Sequence, residues 1–457
     1  MQSGVDRFRR LVEDRAVAGA SPTEVAAALG ASDARALERT PGQFACAVQN
    51  GSSVRLARTL ALPLRYFVAK LLHGPFLVVS DRIDSIFEWC ASQRIAWQFD
   101  PLYTRMLPAH HLVELEQSGC PDPNPTCRRF FEPAVGNGPA DCDELGAAYA
   151  AAALDALKRW LADVPPGERI ALAFSGGIDS TAVLLLARRA LAELGRDPDG
   201  LLAVTLDLGG GRDADQAERT IAELGLTGRW ERLRPARDEL DLELAIRAIE
   251  DYRPLDVECA AASLALCGEL RARHPDVRWL LDGDGGDECW KSYPLEDSDL
   301  TLSSVLRNPL LYHEGWGLDA IKHSLTFSGG LSRSYVRTFA PARLAGLQAF
   351  SPFTDRAVVA AALRAPLERL AATPEALCGL KARAVPAGVE AATGARMPAA
   401  AKRRFQDGVR REDRAQARPS KAWCKRVFLA QWEERMRSAT EKPWMRRSGN
   451  ELAALPG

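Results

Sequence analysis

The chain has 457 residues, of which 47% are hydrophobic and 26% are charged, so it is long enough for two or three domains with buried cores. Its charge is nearly balanced, with 59 Lys and Arg against 60 Asp and Glu, and therefore gives no general argument for a nucleic-acid or membrane partner. No apolar run is long enough to span a bilayer, and the first residues lack the apolar core of a signal peptide. We therefore expect a cytoplasmic protein. Its 10 cysteines include no CxxC pair, and we interpret them as free thiols rather than as metal ligands.

The first part of the chain combines helical and strand patterns. Residues 5–37 have the spacing of short helices, and alternating apolar residues then predict a series of strands with one helix among them. The strands are expected at residues 43–50, 53–59, 64–71, 74–81 and 110–119, and the helix at residues 81–92. Pro, Cys, Asn and Gly are frequent in residues 119–142, which we interpret as a linker.

Beyond this linker, helical and strand patterns alternate. Such alternation is typical of an α/β domain, in which a doubly wound parallel sheet has helices on both faces. We therefore predict two domains, a smaller β-rich domain at residues 1–142 and an α/β domain at residues 143–457.

The most informative stretch is a strand, a glycine turn and a helix, around the phrase SGGIDS. Residues 169–174 form a short apolar strand pattern, and residues 179–194 have helical spacing. The free N–H groups at the start of such a helix form a socket for an anion, usually phosphate. Asp179 would repel a bare phosphate, so its position favours Mg²⁺ between the protein and a nucleotide.

This turn has neither the Walker pattern GxxxxGK[ST] nor GxGxxG. It resembles the pyrophosphatase loop of the N-type ATP pyrophosphatases, the superfamily of asparagine synthetase, β-lactam synthetase and GMP synthetase. The resemblance implies that the protein cleaves ATP between the α and β phosphates and adenylates a substrate oxygen. The residues that would then hold the pyrophosphate are Ser175, Gly176, Gly177, Asp179, Ser180 and Thr181.

A second strand and acidic glycine turn, RWLLDGDGGDECWKSY, resembles the asparagine synthetase phrase LSGEGxDExFGGY. The resemblance places Asp287 as the second magnesium carboxylate beside Asp179. Gly283 and Gly285 would let the backbone approach the nucleotide, and we include Asp284 in the nucleotide site. The resemblance also places the side chain of Phe174 and the backbone around Leu206 beside the adenine, although both residues are explained equally well as simple core residues of strands.

The β-rich part resembles the back half of the glutaminase domain of asparagine synthetases, with PGQFACAVQN and LPAHHLVELEQSG in family order. In that family a cysteine after the initiator Met attacks glutamine, whereas Gln2 stands here. About half of the expected domain is also missing before Phe44. We therefore expect a truncated, degenerate glutaminase-like domain that does not make ammonia from glutamine.

The residues that the resemblance places around the acceptor substrate, here called the acceptor side, also depart from the family pattern. The phrase DVECAAAS, residues 256–263, aligns with DVTTIRAS, but the family glutamate three residues earlier is Arg253 here. Three explanations of this difference are open. Glu250 replaces that glutamate, the attacking amine is already neutral at pH 7, or Arg253 binds an extra anion of the substrate. Arg337 aligns with a family arginine, whereas Phe350 replaces the arginine of the phrase GLExRVPFLD. Aspartate is therefore not the expected substrate.

The phrase KRRFQDGV, residues 402–409, resembles KEQFSDGV of the family. The resemblance implies that Lys402 is catalytic and stabilises the charge that develops on phosphate and on the anionic intermediate.

Taken together, these patterns predict an ATP- and Mg²⁺-dependent ligase or cyclase that makes an amide through an acyl-adenylate. Its expected partners are a carboxylate substrate and an amine or ammonia donor, with a separate ammonia source and homodimer formation compatible with the sequence. Neither a membrane nor a nucleic acid is expected to bind. Two alternatives stay open, namely a tRNA-base adenylating enzyme and a nucleotide-binding pseudoenzyme.

Overall fold

The computed structural model describes residues 7–71, 74–117, 125–209, 212–235, 240–292, 302–307, 309–310, 314, 335–398 and 419–440. Among the helices of these residues, none combines the length and low polarity that a bilayer crossing requires. The nine cysteines in the described part of the chain are all free thiols.

The N-terminal region contains two β-sheets. One is antiparallel with strand order β2-β3-β4-β8-β9, and the other has the order β1-β6-β5-β7, in which only the β1–β6 pair is parallel. The strands are β1 (Phe8–Arg10), β2 (Arg15–Val17), β3 (Gln43–Asn50), β4 (Ser53–Arg58), β5 (Arg65–Leu71), β6 (Gly74–Ser80), β7 (Arg105–Met106), β8 (His111–Glu116) and β9 (Thr126–Arg129). Side chains from both sheets, including Leu56, Leu77 and Val113, form one apolar cluster.

The strands from β3 to β6 and β8 lie where the alternating pattern predicts them. Two predictions for this region are wrong. Residues 8–10 and 15–17 are strands rather than helices, and β9 lies inside the predicted linker. These strands are three or four residues long, which is too short for a periodic pattern, and pairing with β6, β3 and β8 stabilises them.

The C-terminal part contains a parallel sheet with the order β12-β11-β10-β13-β14. Its strands are β10 (Ile170–Ala173), β11 (Leu201–Leu206), β12 (Trp230–Leu233), β13 (Trp279–Leu281) and β14 (Gln348–Phe350). This is a doubly wound α/β sheet, as predicted. The strand order reverses between β10 and β13, and ligands bind beyond the carboxyl ends of strands at such a switch point.

Helices cover this sheet and connect it to the N-terminal region. They are α1 (Pro22–Gly30), α2 (Ala34–Arg39), α3 (Ile83–Ser92), α4 (Cys142–Asp163), α5 (Ile178–Glu193), α6 (Arg212–Glu223), α7 (Leu242–Ile249), α8 (Pro254–Arg273), α9 (Gly286–Trp290), α10 (Leu302–Arg307), α11 (Ala340–Leu344), α12 (Arg356–Leu363), α13 (Leu367–Leu370), α14 (Pro374–Thr393) and α15 (Lys421–Thr440). Helices α4 and α14 cross in close contact, because Gly146 faces the Ala384 carbonyl and Gly388 faces the Gly146 carbonyl.

One apolar core cluster includes residues from both parts of the chain. Leu29 and Phe44 of the N-terminal region belong to the same cluster as Tyr149 and Leu157 of α4. The two regions therefore share buried surface, and a domain boundary at residue 142 stays a prediction.

Candidate active site

The first glycine turn connects β10 to α5 at the switch point. The Ser175 N–H donates to the Ser180 hydroxyl at 3.2 Å, and the Gly177 N–H donates to the Ser175 hydroxyl at 3.3 Å. Gly177 precedes the first turn of α5, in which Asp179 and Ser180 lie. Two serine hydroxyls therefore hold the turn in a conformation that leaves the helix N-terminus facing the crevice.

Gly176 is required by backbone conformation and by space. Its φ is +69°, and a Cβ there would lie 2.8 Å from the Cα of Ala217 in α6. The Thr220 hydroxyl also donates to the Gly176 carbonyl at 3.3 Å. Helix α6 thus packs directly against the turn, and a side chain at residue 176 would push it away.

The second glycine turn, between β13 and α9, packs against the first. A Cβ on Gly283 would lie 2.9 Å from the Ser180 nitrogen, and a Cβ on Gly286 would overlap the Asp179 carboxylate. Gly285 has a φ of +99°. Gly283 is therefore needed for contact between the two turns, which is a different reason from the predicted approach of its backbone to a nucleotide.

A lysine joins the carboxylates of the two turns. The Lys381 Nζ, from α14, lies 2.5 Å from Asp179 Oδ2 and 2.5 Å from Asp287 Oδ1. Its side chain is 3% exposed. Burial by itself lowers the pKa of this ammonium, but Asp179 and Asp287 outweigh burial and hold the pKa above its ordinary value. Asp179 and Asp287 thus converge on one positive charge.

This arrangement fits a divalent cation between the two turns. Lys381 now supplies the positive charge that two converging carboxylates need, and Mg²⁺ bound through one or two carboxylates completes its shell with phosphate oxygens and water. Within the described residues, no group of three or more His, Cys, Asp or Glu side chains could hold a metal. Asp179 and Asp287 would therefore hold Mg²⁺ together with a nucleotide.

Two further carboxyl groups lie in the second turn, of which Asp282 is buried and Asp284 is half-buried. Asp284 accepts a hydrogen bond from the Thr338 hydroxyl at 2.8 Å, and its carbonyl accepts one from the Ser351 hydroxyl at 2.6 Å. Burial raises the pKa of Asp284 to about 6, although Arg337 opposes the shift. Burial and the neighbouring Asp284 raise the pKa of Asp282 well above its ordinary value. This turn therefore holds carboxyl groups whose ionisation burial disfavours.

On the acceptor side, acidic and basic side chains alternate. Arg253 lies 3.7 Å from Asp251 and 2.9 Å from Asp256. Arg337, in a π-helical turn over Tyr335–Phe339, lies 3.5 Å from Asp256 and 3.7 Å from Glu288. Since Glu288 follows Asp287 in the chain, this network extends from Arg253 to the second glycine turn.

Comparison with protein families explains this geometry. Residues 151–338 match the family model described as asparagine synthase. This segment is an asparagine synthase domain. The family uses ATP, usually with Mg²⁺, and its fold is of the adenine nucleotide α-hydrolase type, which indicates an ATP-dependent ligase. A search of curated proteins found no match to the chain.

The asparagine synthase domain contains most of the predicted site residues. Its two turns bring together Ser175, Gly176, Gly177, Asp179, Ser180, Gly283, Asp284 and Asp287. Arg337, another predicted site residue, lies close to Asp256 and Glu288. Lys402, a predicted catalytic residue, lies outside the described residues.

Three residues predicted near the nucleotide are core residues in the asparagine synthase domain. Phe174 is 2% exposed and Leu206 is 1% exposed, and each belongs to an apolar cluster. Thr181 is fully buried in α5. Their side chains are packed in the core, which agrees with one of the two interpretations of Phe174 and Leu206, and the expected contacts of these residues with a nucleotide stay a prediction.

Glu250 does not replace the family glutamate. Its two carboxylate oxygens accept the Ile83 and Asp84 N–H groups at 3.0 Å each, and its side chain is 4% exposed. Burial raises the pKa of this carboxyl, while Arg82 and Arg65 oppose the shift. A carboxylate held by two backbone donors and two arginines is not placed to take a proton from a substrate amine.

The sequence analysis did not identify Lys381, which lies beyond the matched segment. A signal was present, because the buried face of α14 repeats at helical spacing through Leu377, Leu380, Lys381, Ala384 and Val385. A lysine on such an apolar face needs a buried partner. The sequence did not indicate which carboxylates supply it.

Phe350 also has a structural role. It is 1% exposed, lies in β14, and stacks on Trp160 with ring centroids 5.3 Å apart. Phe350 is therefore a core residue of the parallel sheet in this structure.

Proposed function

We propose that this protein forms an amide bond from a carboxylate and an amine at the expense of ATP. A carboxylate oxygen attacks the α-phosphorus of ATP, the bond to pyrophosphate breaks, and an acyl-adenylate forms. The amine then attacks the acyl carbon, AMP leaves, and the amine loses a proton. The substrate is a specialised small molecule or a peptide rather than aspartate.

The observation that supports this proposal is the convergence of Asp179 and Asp287 on Lys381 at the switch point. Two carboxylates from separate turns lie together with a single buried ammonium group. A cation held between these carboxylates and a nucleotide would balance the charge of the phosphates. The asparagine synthase match over residues 151–338 supports the same chemistry independently.

Each part of the nucleotide side has a defined role in this proposal. The N-terminus of α5 and the turn at Ser175, Gly176 and Gly177 bind the leaving pyrophosphate. Mg²⁺ held by Asp179 and Asp287 would neutralise phosphate charge. The ion would displace Lys381 from the two carboxylates, and Lys381 would then bind a phosphate oxygen. Lys402 would stabilise the charge on the intermediate.

Two explanations for Arg253 remain after the exclusion of Glu250. Either the amine arrives neutral, so that no general base is needed, or Arg253 binds an additional substrate anion. Because Asp251 and Asp256 already balance the guanidinium, such an anion would compete with Asp256 for it. The proposal leaves open whether acid and amine lie in one molecule or two, and whether a separate protein supplies ammonia.

ATP–pyrophosphate isotope exchange with Mg²⁺ tests the proposal. A panel of amino acids, other carboxylic acids and short peptides is offered to the wild-type protein and to the Asp179→Ala and Lys402→Ala variants. We expect exchange that depends on one acid and falls by about 10³-fold in Asp179→Ala. Asp199→Asn is the control, because Asp199 is exposed and pairs with Arg188 away from the switch point.

Other outcomes contradict the proposal in different ways. In one outcome, calorimetry detects binding of ATP·Mg²⁺, no acid supports exchange, and Asp179→Ala keeps its biological activity. The protein is then a nucleotide-binding pseudoenzyme. Binding of tRNA that weakens steeply with salt identifies an enzyme that adenylates an RNA base. Undetectable binding of ATP·Mg²⁺ removes the basis of the proposal altogether.

A further inference from the structure

The buried carboxylate of Glu250 caps a helix that is distant in the chain. Glu250 follows α7 with a left-handed conformation, φ +52° and ψ +40°. Its Oε2 accepts the Ile83 N–H and its Oε1 accepts the Asp84 N–H, both at 3.0 Å. Arg82, the residue before α3, does not cap that helix with its own side chain. Glu250 therefore supplies the acceptors that the first turn of α3 needs.

Arg82 makes the converse contact. Its guanidinium donates to the Ala248 carbonyl at 2.9 Å and to the Arg247 carbonyl at 3.0 Å, at the C-terminal end of α7. It also lies 3.2 Å from Glu250 Oε1. A carboxylate thus faces the positive end of α3, and a guanidinium faces the negative end of α7. The two helices cap each other across the contact between the N-terminal region and the asparagine synthase domain.

Two further features make this contact specific. Arg65 of β5 is 1% exposed and lies 3.7 Å from Glu250. Arg435 of α15 also pairs with Asp84, in the first turn of α3. Strand β5, helix α3 and helix α7 therefore meet around one buried carboxylate, and helix α15 joins them through Asp84. A side chain of different charge or length at residue 250 would disrupt the contacts between β5, α3 and α7.

The residues immediately after Glu250 form the acceptor segment, residues 251–256. Asp251 is fully buried, and its Oδ1 accepts the Tyr252 and Arg253 N–H groups at 2.6 and 3.1 Å. Arg253 then pairs with Asp256 in the first turn of α8. The acceptor segment is short, and its N-terminal end is fixed by the contacts of Glu250. Any displacement of Glu250 moves Asp251 and Arg253 with it.

We propose that Glu250 and Arg82 are positioning residues, through which the N-terminal region sets the place of the acceptor segment relative to the two glycine turns. The N-terminal region then contributes to the geometry of the synthetase site and is more than a structural remnant. The catalytic consequence rests on the proposed function, whereas the positioning itself does not.

Amide hydrogen exchange measured by mass spectrometry tests the positioning. In Glu250→Gln, which has one acceptor oxygen and no charge, we expect exchange in peptides spanning residues 251–262 to accelerate about tenfold. Exchange in α14 should stay within about twofold of the wild type. Arg82→Lys is the milder second variant, because an ammonium replaces a fork that reaches two carbonyls.

The matched control is Arg159→Gln. Arg159 also joins the two regions, donating to the Ala18 carbonyl at 3.2 Å and to Asp355 at 3.0 Å, but neither of these partners belongs to the acceptor segment. It should leave exchange in residues 251–262 unchanged. Equal acceleration in Glu250→Gln and Arg159→Gln, or none in either Glu250→Gln or Arg82→Lys, overturns the proposal.

A kinetic measurement separates positioning from general loss of structure. For the acid that supports ATP–pyrophosphate exchange, we expect Glu250→Gln to raise the KM about tenfold while the KM for ATP stays within about twofold. Equal rises in both KM values indicate general destabilisation and count against positioning. If the wild-type protein does not bind ATP·Mg²⁺, the proposed function fails, while the hydrogen-exchange result still decides the positioning.

Discussion

On the nucleotide side of the site, glycines let two turns pack closely against each other, whereas on the acceptor side charged side chains pair with one another. Gly176, Gly283 and Gly286 allow the two turns and α6 to touch. Arg253, Asp256, Arg337 and Glu288 form an ionic network instead. This difference in contacts follows from the ligand that each side is proposed to bind. A phosphate socket needs backbone N–H groups in one arrangement, while an acceptor pocket must match the charges of a particular substrate.

This contrast agrees with the places where the sequence resembles asparagine synthetases and where it departs from their pattern. Close backbone packing tolerates few substitutions, so the phrases SGGIDS and GDGGDE are recognisable. A charge network can be rearranged if every charge keeps a partner, and Arg253 between Asp251 and Asp256 meets that condition. Substitutions on each side test whether the two sides differ in this way.

The largest effect is expected where the two turns share a buried charge. In Lys381→Met, Asp179 and Asp287 lose their common partner, and we expect the free energy of unfolding to fall by about 3–5 kcal/mol without Mg²⁺. Urea unfolding with and without MgCl₂ measures this, and Mg²⁺ should stabilise the variant more than the wild type. Lys158→Met, at an exposed ion pair, should cost less than about 0.5 kcal/mol. Equal losses in both variants would contradict a metal site here.

Gly176→Ala tests the tight packing of the first turn. Strain at φ +69° and contact with Ala217 together should lower the free energy of unfolding by about 3 kcal/mol. Gly225 also has a positive φ, +68°, but a Cβ added there would meet no atom within 4 Å, so Gly225→Ala should cost only about 1 kcal/mol. Urea unfolding of both variants separates strain from crowding. Similar losses would show that α6 yields easily and that close packing is not what the turn requires.

Asp284→Asn tests the cost of burying charge on the nucleotide side. The pKa of Asp284 is about 6 in the folded protein, against an ordinary value of 3.8, so the folded state binds the proton more tightly. Protonation therefore stabilises the wild type as the pH falls through 6, and this gain is complete below about 3.8. At pH 7.5 we expect Asp284→Asn to be more stable than the wild type by about 2 kcal/mol.

The difference between Asp284→Asn and the wild type should shrink as the pH falls from about 7 to about 4. Urea unfolding of both proteins across that range measures the difference, in which the effects of groups that do not interact with residue 284 cancel. A constant difference at every pH would show that burial does not disfavour the ionised form of Asp284.

The smallest effect is expected from restoring the family glutamate on the acceptor side. Arg253→Glu places a third carboxylate beside Asp251 and Asp256, and we expect it to destabilise the fold by about 1–2 kcal/mol, since Arg253 is partly exposed. Arg253→Gln is the neutral control and should cost less. Urea unfolding and ATP–pyrophosphate exchange compare the two variants. A more stable or more active Arg253→Glu variant would mean that the acceptor pocket still accepts the family arrangement.

Much of the nucleotide side could be predicted from the amino-acid sequence. The strand, glycine turn and helix at SGGIDS and the acidic turn with Asp287 are local patterns, and the parallel sheet follows from the alternation of helices and strands. Predictions were wrong at β1, β2 and β9, because strands of three or four residues depend on their partners. They also failed at Glu250, whose partners Ile83 and Asp84 are 167 and 166 residues away in the chain.

The amino-acid sequence alone was enough to predict the two glycine turns, since the backbone geometry that a phosphate site requires depends on glycines and an acidic residue at fixed spacing. Which charges meet is a property of the tertiary structure. Helix α14 crosses α4 at Gly146 and Gly388 and brings Lys381 between Asp179 and Asp287, while α3 and α7 meet end to end at Glu250 and Arg82. Charge pairing acts over a few ångströms in space, whatever the separation of the residues in the chain.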